Sequence, residues 1–578
     1  MKKQPSASAC DLVFRNGRFY TVNPKQPWAE AVAIKEGRFV RVGANGAIEE
    51  CIGPHTEVVD LEGRLVIPGI YDTHVHLIAA VQYARSLCRL PDPPTLPSID
   101  ECLSVIRKCF EEGRGMEDGW FLGGVWSPFT FGMEEGPRKE MLDEIVGDIP
   151  AFLMDMTLHA VWVNSAALRI AGIDRNTPDP QYGLITRDPD TGDPTGFLIE
   201  YSAMALVGRH IPKISLVRRM ALAERGIAEL NAYGIVGFSE AGSEEADLAA
   251  LNRLARDGRL NARVLTRNLA VQAGSIEEDL RSAEEIASVA AKYNTGRLNT
   301  FGAKIYVDGS SQNDTVAFLD RSSPFNMPYL YEDLTISPEK LKQVVTDLDR
   351  NGLPIMMHCI GDKAAHVALD AVETARKANG KNGLRHCITH AFFHSDDDIP
   401  RYSELGVSLN IQTWASTDFD YGAIVTPLIG EERWRKAFPY RTLMNAGALV
   451  SVGSDWPCVT SSVNPFPGLA MASTRIDPFY PERGVFNEKE KLTMEELIPM
   501  LTINGAKEMG LDKISGSIEE GKCADLAVLN RNILECEPEE LFETRVLLTL
   551  LEGRPVYHAE DSPMLASAEG LKTPDMWR

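Results

Sequence analysis

The sequence predicts an α/β protein: a TIM-like (β/α)8 barrel with a β-sandwich domain formed from both termini and a large insertion after barrel strand 1. Three observations lead there. Strand-like and helix-like segments alternate through the middle of the chain, as a parallel sheet requires. Eight short strands can be counted in that stretch, the number that closes a barrel. Both chain ends, in contrast, are strands separated by glycine turns.

From Asp11 to Leu65 the turns fall around Gly17, Gly37, Gly43, Gly46 and Gly63, and the same style returns at Gly516, Gly521 and the run Ala524–Leu529. One sandwich built from both ends protects strand edges that two isolated tails would expose. The first barrel strand is expected over Leu65–His76. Some 150 residues, by rough count, then pass before the next strand, far more than a βα connection uses. Residues 83–210 are therefore expected to form an inserted lid over the barrel mouth. Leu216, Met220, Ala223, Ile227 and Leu230 form a helical stripe ended by Gly234, followed by a strand at Ile235–Ser239. Further strands are expected at Arg263–Asn268, Phe301–Val307, Pro354–His358, Arg385–His390, Val407–Gln412 and Leu449–Ser454. Between two of them Ser337 caps a helix with Pro338 as its first residue, and Gly352 closes it. An open doubly wound sheet would call for a glycine-rich phosphate loop after an early strand, which the sequence lacks. The expected division is 1–66 with 508–578, 67–507, and 83–210 within the barrel.

Composition narrows the function classes. The 578 residues are 44% hydrophobic and 24% charged, an ordinary globular balance that excludes wholesale disorder. With 59 Lys and Arg against 82 Asp and Glu, the formal charge is −23, which repels nucleic-acid phosphates and anionic lipid. No apolar run is long enough to span a bilayer, and no apolar run follows the two N-terminal lysines as in a secretory signal. Ten cysteines without CxxC spacing fit a reducing compartment. The expectation is a cytoplasmic protein acting on a small molecule, with a homodimer as the default assembly.

The chemistry-bearing residues sit at strand ends. His74 and His76 are two apart on the first strand and so point to one side, with Asp72 beneath them. Eleven histidines in this length give about 0.2 such pairs by chance, so their position at a barrel-strand end adds weight. His358 and His390 end later strands, and Asp455 follows the last. Four imidazoles and a carboxylate converging on one mouth suit a divalent ion such as Zn²⁺. Lys304 alternates with Tyr306 and Asp308. A lysine inside a barrel requires a partner, so it pairs with Asp308 or, as a neutral amine, takes up CO₂ to form a carbamate that bridges two cations. Trp126, His159, Trp162 and Trp414 are candidates for a substrate pocket, with Phe129, Phe131 and Met133 at its entrance.

The string Val66–His76 resembles the opening signature of the amidohydrolase superfamily. His159–Ser165, Val307–Ser310, His358–Asp362, Gly453–Pro457 and Gly521–Leu526 resemble its amidohydrolase family 3 branch, which includes N-substituted formamide deformylases. The matches run in order from about Asp11 to Asn530. The resemblance implies a metal-dependent hydrolase of carbon–nitrogen bonds other than peptide bonds. In it His74 and His76 bind the more buried metal, and His358 and His390 bind the second. Lys304 bridges them as a CO₂-derived carbamate, and Asp455 ligates the first while serving as base. Asp308 and His159 join the substrate-binding set. The chain departs from the family at Thr389, where glutamate is usual, at Gln412-Thr413-Trp414, and at Ser311–Asp314. Two other readings remain beside the expected cleavage of a formamide, N-acyl amine, cyclic amide or carbamate. One is a mononuclear deaminase of a heterocycle, which needs no carbamate. The other is a ligand-depleted barrel used for binding or assembly, against which the six intact positions argue.

Overall fold

The computed structural model describes residues 9–90, 97–132, 136–271, 280–311, 315–320, 334–417, 420–458, 460 and 462–560. Eight parallel strands form its centre: β1 Ile70–Val75, β2 Ile235–Ser243, β3 Arg263–Val271, β4 Ala303–Tyr306, β5 Ile355–Cys359, β6 Cys387–His390, β7 Ser408–Ile411 and β8 Leu449–Val452. They pair in chain order, β1 with β2 through to β7 with β8. Backbone bonds just past the strands close the barrel: Asp455 N donates to His74 O (2.8 Å) and His76 N to Trp456 O (2.9 Å). Asp72 reinforces this seam, its Oδ1 accepting from the amides of His74 and Ser454 at 3.1 and 2.9 Å. Gly453 permits the approach, since a Cβ there would lie 2.5 Å from the Cβ of His74.

The expected strand over 65–76 divides at Gly69. Leu65–Pro68 belongs to a terminal sheet, where it pairs antiparallel with Leu526–Leu529, and only the residues from Ile70 enter the barrel. Gly69 lies against Val236, leaving no room for a side chain, and its amide donates to Asp525 O. The six-stranded terminal sheet holds Arg18–Tyr20, Trp28–Ala29 and Leu65–Pro68 with Leu526–Leu529, Val546–Leu551 and Arg554–His558. Leu12–Arg15, Ala31–Lys35, Arg38–Gly43 and Glu57–Asp60 make a second sheet of four. Between β1 and β2 the insertion carries its own seven-stranded sheet, running from Cys88–Arg89 to Pro194–Ile199, with a hydrophobic cluster on each face.

Helices follow the predicted signals. Leu216–Ala232 begins at Ser215, whose side chain accepts from Arg218 N. Pro338–Arg350 begins at Ser337, and Gly352 leaves it with φ 76°. No helix among the described residues is long and apolar enough to cross a membrane.

A buried polar knot ties β6 to the helices outside the barrel. Asp349 accepts from His386 Nε2 (2.8 Å), Arg376 (2.9 Å), Asn379 (2.9 Å) and Asn382 (2.9 Å). His386 Nδ1 accepts from Ile355 N, so the ring is neutral with its proton on Nε2. Burial opposes charge on Asp349, but the bonds from His386, Asn379 and Asn382 outweigh it and hold the carboxyl well below its usual range. Asp349→Ala is therefore expected to destabilise the fold by about 3 kcal/mol, because it strands buried donors. The contribution of a carboxyl depressed in this way is complete above about pH 4 and fades as the pH drops below that. Thermal unfolding of wild type and variant from pH 7 to pH 3 checks it: the gap in Tm narrows toward acid.

Candidate active site

The C-terminal rim of the barrel and the insertion line a partly open cavity. His74, His76, Lys304, His358, His390 and Asp455 all line it. His74 Nε2 lies 3.2 Å and His76 Nε2 3.5 Å from Asp455 Oδ1, and one ligand atom from each of the three falls within 4.8 Å of the others. The His358 and His390 rings stand beside them, their centroids 4.4 Å apart, with His390 5.1 Å from His74. His390 and Asp455 adopt left-handed backbone conformations (φ 76° and 57°), strain that accumulates at functional sites.

A relay of side chains orients the imidazoles. Asn410 gives its amide to Thr73, which leaves Asn410 Oδ1 to accept from Thr389 Oγ1 (2.9 Å) and Gln412 Nε2 (3.0 Å). Thr389 Oγ1 then accepts from His74 Nδ1 (2.6 Å), and Gln412 Oε1 from His390 Nδ1 (3.0 Å). Both rings carry their proton on Nδ1 and turn an unprotonated Nε2 forward. His74 Nε2 is buried and forms no hydrogen bond. Such an orphaned lone pair, on a ring backed by an oxygen acceptor, is what a metal-binding histidine requires. Thr389, a departure from the family, thus takes the backing position behind His74.

Burial, together with the neighbouring Lys304 and histidines, pushes the His74 pKa well below the usual range, which keeps the ring neutral. Burial likewise lowers His390 to about 4. Burial opposes ionisation of Asp455, but a hydrogen bond from His76 and the neighbouring cationic groups lower its pKa.

Lys304 departs from the simple ion-pair reading. No carboxylate forms an ion pair with it among the described residues; Nζ lies 3.7 Å from Met356 Sδ and 4.8 Å from the centre of the Tyr306 ring. Its full burial lowers the pKa to about 8. Asp308 is neither its partner nor a cavity residue. The strand has ended before it, and its carboxylate accepts from the amides of Ile360 (3.0 Å) and Gly361 (2.8 Å) while Oδ1 faces His358 Nδ1 at 3.2 Å. Asp308 therefore stands behind His358, beside an Nδ1 that forms no hydrogen bond among the described residues, and outside the residues that line the cavity.

Of the aromatic candidates, His159 and Trp414 line the cavity, Trp414 held by its Nε1 bond to Ser454 O (2.8 Å). Trp126, Trp162 and Phe131 do not. They pack edge to face in the insertion's own core, with Trp126 Nε1 donating to Leu153 O and Trp162 Nε1 to Arg138 O. Large flat rings whose N–H finds a backbone acceptor fill a core well. The Phe129 side chain and Met133 lie outside the described residues. Trp126→Ala is expected to lower stability by about 3–5 kcal/mol with KM unchanged, which denaturation and steady-state kinetics check together.

Thr157, Leu158, Tyr201, Tyr306, Ser310, Ile360, Phe392 and Cys458 also line the cavity, and Glu200 backs it. Tyr306 was legible as the same-face neighbour of Lys304, and Ser310 and Ile360 fall in the strings Val307–Ser310 and His358–Asp362; the others carry no sequence signal of their own. Burial disfavours a charged His159 ring, but Glu200 outweighs it through charge and hydrogen bond and raises its pKa.

A parallel barrel with His-x-His ending its first strand and aspartate following its last, flanked by a sheet from both chain ends, defines the amidohydrolase fold class. Residues 57–557 match the amidohydrolase family, and the chain belongs to it. It is 29% identical over 563 residues to Protein LONG AFTER FAR-RED 3 of Arabidopsis thaliana, covering 96% of this chain and 92% of the relative. It is 28% identical over 552 residues to an N-substituted formamide deformylase of Arthrobacter pascens, covering 94% and 97%. Among solved structures, an uncharacterized metal-dependent hydrolase from Pyrococcus horikoshii superposes with a TM-score of 0.69 at 22% identity, covering 91% of this chain and 99% of that one.

Proposed function

We propose that the protein hydrolyses a C–N amide-type bond in a small, uncharged substrate bearing an N-linked aromatic or alkyl group. The observation that carries this is the convergence of His74, His76 and Asp455 ligand atoms within 4.8 Å, with His74 Nε2 buried and unpartnered. Two imidazoles and a carboxylate fit a borderline dication, Zn²⁺ first. His358, His390 and Lys304 would complete a second position, Lys304 as a carbamate. An amine whose pKa is near 8 holds enough of the neutral form to add CO₂, releasing one proton and gaining a carboxylate.

A divalent cation here would polarise the scissile carbonyl and acidify water. The chain's own residues do the rest. Asp455 accepts the proton of the attacking water and delivers it to the leaving nitrogen, a base turned acid. Thr389 and Gln412 hold His74 and His390 by hydrogen bonds, and Asp308 stands 3.2 Å from His358 Nδ1. Trp414, Phe392, Leu158 and Ile360 supply an apolar wall for the N-substituent and exclude water. The formamide deformylase relative, matched over nearly its whole length, supports a formamide as the first compound to try.

Elemental analysis of the purified protein, followed by a screen of N-aryl and N-alkyl formamides, N-acyl amines, cyclic imides and carbamates, tests the reading. Bound zinc with turnover in that panel is expected. A zinc-loaded protein that cleaves none of these classes contradicts it.

A further inference from the structure

Glu200 lies outside the candidate ligand set, yet both of its carboxylate oxygens are committed at the cavity wall. It follows the last insertion strand, Pro194–Ile199, with φ 65°, a left-handed conformation that a glutamate seldom adopts. Its amide donates to His159 O (2.7 Å). Oε2 lies 3.0 Å from His159 Nδ1, and Oε1 accepts from Thr315 Oγ1 at 2.7 Å. Thr315 closes the turn after β4, where Gly309 N donates to Thr315 O and Thr315 N to Ser310 O. Gly309 leaves the space, since a Cβ there would sit 2.5 Å from Glu200 Oε1. One buried carboxylate therefore joins the insertion to the barrel rim.

His159 is constrained from the other side as well, its amide donating to Asp155 Oδ1 (3.0 Å) and Thr157 Oγ1 (3.1 Å). An ionised carboxylate can only accept, so Nδ1 carries the proton that faces Glu200. Nε2 has no hydrogen-bond partner among the described residues, and the ring lines the cavity 5.5 Å from the centre of His358. The tie to Thr315 uses one oxygen of Glu200. The second is spent on the orientation of a ring whose far nitrogen is free in the cavity.

We propose that Glu200 is a positioning residue, which holds His159 so that Nε2 meets the scissile amide from the insertion side, opposite Asp455. This rests on the hydrolytic reading of the cavity. The insertion then does more than cover the mouth: it contributes the hydrogen-bonding group that orients the amide. Glu200 acts only through His159, so their losses must coincide.

The test compares zinc-loaded wild type, Glu200→Ala, His159→Gln and the double variant on N-phenylformamide, together with a crystal structure of Glu200→Ala. Each single variant is expected to lose about 100-fold in kcat with KM within about threefold, and the double variant to be no worse than His159→Gln alone. Zinc content matches wild type throughout, and in Glu200→Ala the His159 ring turns away from the cavity. Wild-type kcat in Glu200→Ala, multiplied losses in the double variant, or an unmoved ring in Glu200→Ala overturns the proposal. A wild-type enzyme inert to N-phenylformamide counts against the hydrolytic reading instead, and the crystal structure still decides the role of Glu200.

Discussion

Asp455→Asn retains the fold and loses about 10³-fold or more in kcat. The substitution preserves shape and most hydrogen bonds, so far-UV circular dichroism stays at wild type. On the proposed mechanism it removes two things together: the acceptor for the proton of the attacking water, and the carboxylate that lies 3.2 Å from His74 Nε2 and 3.5 Å from His76 Nε2. Without that charge two imidazoles would be left to hold a dication, and affinity would fall as well. Steady-state kinetics at saturating zinc separates the two effects, since added metal restores occupancy but not the base. Turnover within tenfold of wild type at full occupancy removes Asp455 from the chemistry.

On the proposed two-metal reading, Lys304→Ala is expected to empty one of the two positions and to lower activity by a similar factor. As an ammonium, Lys304 would face two dications from a fully buried position with no carboxylate paired to it among the described residues, an arrangement electrostatics disfavours. As a carbamate it reverses sign and becomes a ligand, so metal occupancy and CO₂ are linked. Chelation in CO₂-free buffer is expected to abolish wild-type activity, and zinc with bicarbonate to restore it. The alanine variant responds instead to a short carboxylic acid such as acetate, which occupies the vacated space. Two zinc ions per wild-type chain and one or none in the variant is the expected count. One ion in both, with undiminished activity, sinks the carbamate and favours a mononuclear centre.

Particular residues show how far the sequence reaches. His74 and His76 were readable because strand geometry forces residues two apart to one face, and a barrel brings the C-terminal ends of its strands to one rim. The same alternation placed Lys304 and Tyr306 together in the cavity but failed at Asp308, since the strand stops at Tyr306 and the period stops with it. Trp126 and Trp162 look alike to composition whether they face a substrate or a core. Their N–H bonds to Leu153 O and Arg138 O assign them to the core. Glu200 was silent in the sequence, because nothing local announces that a glutamate will meet a histidine 41 positions away.

The amino-acid order by itself determined the alternation of elements, the eight strands and the histidines, lysine and aspartate at their ends, because those follow from local periodicity and capping. Only the tertiary structure decided which nitrogen of His74, His390 and His159 faces the cavity, which carboxylates stand behind His159 and His358, and which aromatics line the cavity rather than the core. Those are contacts between segments far apart in the chain, and their energies depend on burial and angle, which exist only once the segments have met.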